Sequence, residues 1–202
     1  MKFLSFLPLI ALVAAAPVTT PASDLQQIQT HLRSLTTMTA SFSQTDRAGK
    51  VLTGVLTLKQ PGRIRFQYQQ GVPILIVADG GALTFVDYSV KQVQRWPVKG
   101  SPLGVLIDPS RDIGRYAKVV PTGEDRLISV DARDPAHPEY GRITLVFARD
   151  AAAPAGVALQ GWVMLDTQSN RTTVRLSNQR YGVPVAGNAF AWTDPRRTGG
   201  RR

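Results

Sequence analysis

The most constraining feature of this sequence is a pair of alternating segments around a Pro-Gly turn, in residues 49–68. Leucines recur at even positions of the first segment. The even positions of the second segment are also apolar, at Ile64, Phe66 and Tyr68, with arginine or glutamine between them. Successive side chains of a strand point to opposite faces, so the pattern predicts a β-hairpin with one apolar and one polar face. The turn is predicted at Lys59–Gly62, because proline fixes its backbone angle and glycine tolerates a positive one.

Most of the remaining chain also has the pattern of β-strands separated by turn residues. The segment 73–78 is apolar at every position, which predicts a strand covered on both faces. Uninterrupted strands with few helices favour a single curved sheet. We predict ten or eleven strands in an incomplete, curved antiparallel β-barrel with a short helical lid. Further strands are expected near 37–45, 82–87, 91–98, 116–121, 127–132, 142–148, 157–166 and 172–180, which with the hairpin and 73–78 make eleven. Phe190 and Trp192 are a candidate for one more.

Two short helices are predicted. Ser23 followed by Gln26 has the spacing of a capping box, and an apolar face follows it. A second helix is expected to start at Ser101-Pro102 and to end at Pro109. His31 lies on the first helix, where we expect an ordinary surface or edge residue. The apolar residues expected to form the lid are Leu25, Ile28, Leu32, Leu103 and Leu106.

The N-terminus has the features of a secretory signal peptide. Lys2 is followed by fourteen uncharged residues and then by small ones. Such a stretch makes about 21 Å of helix, too short for a bilayer core of about 30 Å. We predict a signal peptide over residues 1–22, cut after Ala15 or Ala22, with an uncleaved anchor as the alternative. A single domain over 23–195 and a basic tail over 196–202 would follow, working outside the cytoplasm.

Composition restricts the chemistry. The chain has no cysteine, which excludes thiolate metal sites, disulfides and a lipid-modified N-terminal cysteine. The net charge is +10, but the arginines are scattered along the predicted strands. This distribution favours acidic partners or lipid head groups over nucleic acid.

Motifs for catalysis are absent from the sequence. Two distant histidines make no HExxH motif, and there is no GxSxG elbow or phosphate loop. Asp108, Asp112, Glu124 and Asp125 could pair as carboxylates for glycoside hydrolysis, but they lie near turns and helix ends, where acids are common. We therefore expect binding, with no catalytic residue, metal or cofactor.

An ordered set of motifs resembles the outer-membrane lipoprotein carrier (LolA) family. Order and spacing match over residues 24–108, and more loosely to about 195. No single motif is specific. The motifs are Phe42-Ser43-Gln44, Gly54, Lys59–Tyr68, Val77–Gly80, Trp96-Pro97, Pro102-Leu103 and Phe190–Trp192.

The resemblance implies a periplasmic, monomeric chaperone whose apolar cavity holds the acyl chains of lipoproteins. It implies three partners: the lipoprotein cargo, an ATP-driven release complex in the inner membrane and a lipid-anchored receptor in the outer membrane. The absence of cysteine favours the carrier over that receptor. A related lipid- or lipoprotein-binding sensor domain and an extracytoplasmic carboxylate hydrolase are the alternatives.

The apolar face of the hairpin becomes one wall of the expected cavity. Gln60 stands where the family usually has an arginine that bonds the lid, which makes Gln60 a candidate latch. Arg63 and Arg65 are expected to point outward. An ordinary β core would use the same apolar residues, so that interpretation stays open. The expected wall residues are Leu52, Leu56, Leu58, Ile64, Phe66, Tyr68, Ile76, Phe85, Trp96 and Phe147.

Overall fold

Eleven antiparallel strands form one sheet in the computed structural model, which describes residues 20–98 and 103–196. Two α-helices accompany the sheet in these ranges, α1 at Pro21–Ser34 and α2 at Gly104–Ile107. The strands are β1 Thr37–Thr45, β2 Val51–Lys59, β3 Arg63–Tyr68, β4 Ile74–Asp79, β5 Ala82–Asp87, β6 Gln92–Pro97, β7 Ala117–Val120, β8 Leu127–Ala132, β9 Arg142–Arg149, β10 Val157–Leu165 and β11 Arg171–Tyr181.

The strand order explains the shape. It runs β6-β5-β4-β3-β2-β1-β11-β10-β9-β8-β7, so each strand pairs with its neighbour in sequence, and β1 with β11 joins the two halves. The outer strands β6 and β7 do not pair with each other, which leaves the sheet open. The predicted open, curved antiparallel architecture is confirmed. Within the described ranges, no helix has the length and apolarity that a membrane crossing requires.

The predicted hairpin is β2–β3. Leu56 pairs with Phe66 and Leu58 with Ile64, and all four side chains are buried on the inner face. Val55, one position from Leu56, is 51% exposed on the outer face. The alternation in the sequence therefore reports the two faces correctly.

Strand β4 is covered on both faces, as its apolar run predicts. Its outward residues Leu75 and Val77 are buried under the C-terminal segment, where Phe190 packs against them and Val86. The predicted strand at Phe190 and Trp192 is wrong, because this segment crosses the outer face without ladder pairing. Its carbonyls at Ala189 and Ala191 instead accept hydrogen bonds from the outward Arg65 guanidinium.

Helix α1 begins earlier than the sequence pattern predicts. Thr20 is the N-cap, Pro21 occupies the first turn, and the capping box joins Thr20 to Ser23 instead of Ser23 to Gln26. Proline is well suited to this position because the amide it lacks would have had no helical partner. The predicted signal peptide up to residue 19, the Ser101-Pro102 start of the second helix and the tail beyond Arg196 lie outside the described residues.

The prediction of a surface or edge position for His31 is wrong, since the residue is 0% exposed. It lies on the inner face of α1 beside the turn Pro154–Gly156. Its Nδ1 donates to the Pro154 carbonyl at 2.7 Å, and its ring meets Phe147 and Tyr181 edge-on. The ring thus packs as part of the apolar face of α1, and the Pro154 carbonyl satisfies its buried N–H donor.

Polar contacts also fix α1 to the same end of the sheet. Gln27 donates to the Ala155 carbonyl at 2.9 Å, and Arg149 forms an ion pair with Asp24 at 2.7 Å. A second guanidinium nitrogen of Arg149 donates to Gln27. The helix is therefore held to the β9–β10 connection along its length.

Candidate functional site

The concave side of the sheet is lined by apolar side chains and covered by the two helices. Most of the expected wall residues lie in one buried cluster with most of the expected lid residues, each 5% exposed or less. These are Leu56, Leu58, Ile64, Phe66, Tyr68 and Phe147 of the expected wall, and Ile28, Leu32, Leu103 and Leu106 of the expected lid.

The other expected wall residues are less buried. Leu52 and Ile76 are partly buried against it, as is Leu25 of α1. Phe85 pairs with Ile76 and is half-buried on the same face. Trp96 pairs with Leu83 on the edge strand β6 and is 38% exposed. The inner face thus passes from fully buried residues to partly exposed ones toward β6.

Two aromatic residues at the centre of the site were missed in the sequence. Phe42 contacts Phe66 and Tyr68, with ring centroids 5.4 and 5.1 Å apart. Trp162 contacts Phe66 at 6.0 Å from the opposite half of the sheet and is 2% exposed. Both rings lie at inward positions of alternating strands, so parity alone could have included them once the inner face was known.

Gly54 makes room for this aromatic cluster. A Cβ atom at this position would lie 2.1 Å from the Gln67 carbonyl oxygen and 2.7 Å from the Phe42 ring. Both distances are well inside van der Waals contact. The glycine of β2 therefore lets Phe42 lie directly against the backbone of the next strand.

A buried hydrogen-bonded pair of side chains lies beside the aromatic cluster. The Tyr68 hydroxyl donates to Gln44 Oε1 at 2.7 Å, although the tyrosine is only 4% exposed. Burial raises the pKa of Tyr68 to about 12, partly offset by the hydrogen bond to Gln44. The hydroxyl is therefore neutral at any physiological pH, and the pair adds no charge to the apolar interior.

Gln60 contacts both helices at once. Its Nε2 lies 3.3 Å from the Leu32 carbonyl in α1 and 3.0 Å from the Leu106 carbonyl in α2. Both acceptors are in last turns, where helix carbonyls have no partner within the helix. Gln60 Oε1 is buried and has no hydrogen-bond partner. One side-chain amide thus bridges the C-terminal ends of α1 and α2.

The backbone of the Pro-Gly turn supports the same junction. The Gly62 amide donates to the Ile107 carbonyl at 2.7 Å, and the Gln60 amide donates to Thr36 at 2.8 Å. A surface cleft of about 480 Å³ opens beside this turn and is bounded by Asp79-Gly80 and Ile107-Asp108. The turn is therefore both a structural contact for α2 and accessible from solvent.

The carboxylates considered for hydrolysis have local structural roles. Asp108 accepts from the Ser110 amide and hydroxyl, and Asp112 accepts from the Gly114 amide. Glu124 and Asp125 are exposed in the turn before β8. Among the residues that the structure describes, no three histidine or carboxylate side chains form a group that could hold a metal ion.

Comparison with known sequences gives a consistent result. The family model described as "Outer membrane lipoprotein carrier protein LolA" matches residues 33–193. The outer-membrane lipoprotein carrier protein of Chromobacterium violaceum is 28% identical over 196 residues, covering 93% of this chain and 90% of the relative. The protein of the same name from Xanthomonas campestris pv. campestris is 27% identical over 184 residues, covering 85% of each.

Solved structures share the fold at low sequence identity. A putative outer membrane lipoprotein-sorting protein domain from Vibrio parahaemolyticus superposes with a TM-score of 0.51 at 11% identity, covering 83% of this chain and 94% of that one. The Pseudomonas aeruginosa MucA/MucB complex gives a TM-score of 0.50 at 16% identity, covering 87% and 62%. At these identities, the likeness is one of fold.

Proposed function

This chain belongs to the outer-membrane lipoprotein carrier (LolA) family, and we propose that it binds the acyl chains of lipoproteins between its sheet and its two helices. Lipoprotein carriage is the general role of the family, and a periplasmic location accompanies it. In the finer proposal, the carrier takes cargo from an ATP-driven release complex in the inner membrane. It then passes the cargo to a receptor in the outer membrane.

The observation that carries the proposal is the continuity of the apolar inner face. Phe66 and Trp162 are buried against each other at its centre, while Ile76 and Phe85 on the same face are half-buried toward β6. The apolar lining thus continues from the buried centre into partly exposed residues, which gives an acyl chain an apolar path inward from the β6 side. An acyl chain that entered from this side would first meet Phe85 and Ile76 and then displace the central aromatic contacts.

The energetics of transport fit a site of this kind. Each methylene withdrawn from water contributes about 0.8 kcal/mol, so a carrier must replace most of the contacts that a membrane offers. Release then depends on a receptor that binds the same chains more strongly, since a ligand moves to the partner of higher affinity. Side chains that pack on one another without cargo reduce the net affinity of the carrier, because their contacts must first be broken.

Gln60 is the proposed latch of this site. Its amide is shared between α1 and α2, and α1 is also fixed to the β9–β10 connection by Gln27 and His31. Helix α2 has only four residues, so it is the smaller of the two bodies that Gln60 joins. We propose that cargo entry breaks the bond from Gln60 to Leu106 and moves α2 away from α1.

The position of Thr20 bears on processing of the precursor. Because Thr20 caps α1 through the Ser23 amide, a cut after Ala22 would remove both the cap and Pro21. N-cap residues contribute roughly 0.5–2 kcal/mol to helix stability. We propose that cleavage follows Ala15, which leaves the helix intact.

The experiment that tests the function is release of a lipoprotein from the inner membrane. Spheroplasts expressing an outer-membrane lipoprotein are incubated with the purified mature protein, and soluble lipoprotein is measured. We expect a soluble complex of carrier and acylated lipoprotein, and none with a lipoprotein that cannot be acylated. If the acylated lipoprotein stays in the membrane fraction, the carrier function is wrong for this chain.

A further inference from the structure

Three arginines lie in one row on the outer face of β11. Val174 and Leu176 are buried on the inner face, so Arg171 and Arg175 point outward, and both are exposed. The register shifts between Thr39 and Ser41, and the shift pairs Arg180 with the outward Thr39. The bulge therefore keeps the third arginine on the same face as the other two.

The strands beside this row carry no opposing charge. The outward positions of β1, from Thr37 to Thr45, are all serine or threonine. Those of β2, from Val51 to Lys59, alternate valine with threonine and end in lysine. Along the outward positions of β1, β2, β10 and β11 there is no acidic residue.

Acids near the ends of these strands are engaged in their own turns. Asp46 accepts from the amides of Ala48 and Lys50 at the β1–β2 connection. Asp166 accepts from the amides of Gln168 and Asn170 at the β10–β11 connection. These hydrogen bonds do not remove the charges of the two carboxylates, so the positive potential of the row is reduced most at Arg171, the end that lies next to them, and least toward Arg180.

The shape of this face suits a flat, anionic surface. A convex sheet touches a plane along a line, and β11 lies near the middle of the strand order. Arg171, Arg175 and Arg180 span roughly 30 Å of strand at about 3.4 Å per residue. Serine and threonine hydroxyls of β1 flank them on one side, and Val51 and Val55 on the next strand, β2, are 54% and 51% exposed. Spaced cations with hydroxyl donors and small apolar groups match an array of lipid phosphates better than a single peptide.

We propose that the arginine row of β11 docks this protein on anionic phospholipid head groups. The charges act together, since each basic residue near an anionic membrane adds to the attraction and salt screens it. Docking on the convex face leaves the helices and the Gln60 turn free for a partner protein. The proposal concerns a surface outside the acyl-chain site and does not depend on cargo binding.

The test is flotation of the full mature chain with phosphatidylcholine vesicles, with and without phosphatidylglycerol. We expect binding only to the vesicles that contain phosphatidylglycerol, and weaker binding at high salt. The combined R171Q, R175Q and R180Q variant should bind about 100-fold more weakly, at about fivefold per arginine. The control combines R115Q, R126Q and R133Q, three exposed arginines in other parts of the fold, and removes the same charge.

The control should stay within a fewfold of the unmodified protein, and both variants should keep its thermal unfolding temperature. Equal loss in both variants would mean that net charge, and not the row, attracts the protein, and would overturn the proposal. So would the absence of binding to anionic vesicles. If the row then proved necessary for binding native inner membranes, its partner would be a protein instead of lipid.

Discussion

The ring of Phe66 meets the ring of Trp162 with centroids 6.0 Å apart and planes at 83°, although three strands separate β3 from β10 in the sheet. This edge-to-face geometry is a favourable arrangement of aromatic rings. The contact crosses the concave side, so the two halves of the open sheet touch through side chains there. Under the proposed function, cargo that enters the interior has to part these two rings.

A first prediction concerns the wall. Phe66→Glu should reduce lipoprotein release at least tenfold, because a carboxylate at this position opposes both ring packing and acyl chains. Val55→Glu is the control, since it places the same charge on the outer face one strand away. Circular dichroism should show whether each variant is folded. Phe66→Leu, a milder change, should stay folded and release severalfold less cargo. Full release by folded Phe66 variants would remove this residue from the site.

The latch gives a second prediction. Gln60→Leu leaves the carbonyls of Leu32 and Leu106 without their side-chain donor. An unpaired buried polar group costs about 1–3 kcal/mol, so hydrogen exchange in α2 and at the Gly62 amide should quicken about tenfold or more. Gln60→Arg should slow it, because a guanidinium has more donors and suits the negative ends of two helices. Gln70→Leu at an exposed position is the control. Unchanged exchange and cargo retention in Gln60→Leu would rule out a latch.

A third prediction is a loss of stability at mildly acidic pH. Burial lowers the pKa of His31 from its ordinary value of 6.5, partly offset by the hydrogen bond to Pro154. As the pH drops below 6.5, His31 therefore binds a proton more readily in the unfolded chain than in the folded one. The free energy of unfolding should decrease by at most about 1.4 kcal/mol for each unit that the pH is lowered. The Asp24 carboxylate, about two turns earlier on α1, is paired with Arg149, and His31 Nε2 has no hydrogen-bond partner.

The check on this third prediction is urea unfolding between pH 7.5 and pH 5 for the natural chain and for His31→Asn. Asparagine can still donate to the Pro154 carbonyl but does not titrate. We expect the variant to lose less stability over this range. Parallel curves for the two proteins would show that His31 does not control the pH response.

A fourth prediction concerns the space at Gly54. Gly54→Ala should lower the free energy of unfolding by about 1–3 kcal/mol, because its Cβ would collide with backbone and with Phe42. Gly187→Ala, where a Cβ meets no heavy atom within 4 Å, should change it little. Thermal unfolding of both variants is the measurement. Equal stability of the two would contradict the close packing of Phe42 on β2.

The strands could be predicted because a strand with one covered face alternates inward and outward residues along the sequence, as the buried Leu56 and the exposed Val55 do. Covering segments were harder. The Phe190–Trp192 stretch has the composition of a strand. It crosses the sheet instead, because the apolar outer face of β4 packs against it and Arg65 donates hydrogen bonds to its carbonyls. His31 was mistaken for a surface residue because its partner, the Pro154 carbonyl, lies 123 positions away. Trp162 lies at an inward position that alternation could have identified once the inner face was known, but its contact with Phe66 across the concave side depends on the curvature of the sheet.

The most direct test of the central claim is a photo-crosslink from the interior to the acyl chains. A photoreactive phenylalanine analogue replaces Phe66 in one variant and the outward Val55 in another, and each is loaded with a lipoprotein carrying labelled acyl chains. We predict that label is transferred to position 66 and not to position 55. Label at position 55 alone, or at neither position in a complex that still carries cargo, would contradict acyl-chain binding on the concave side.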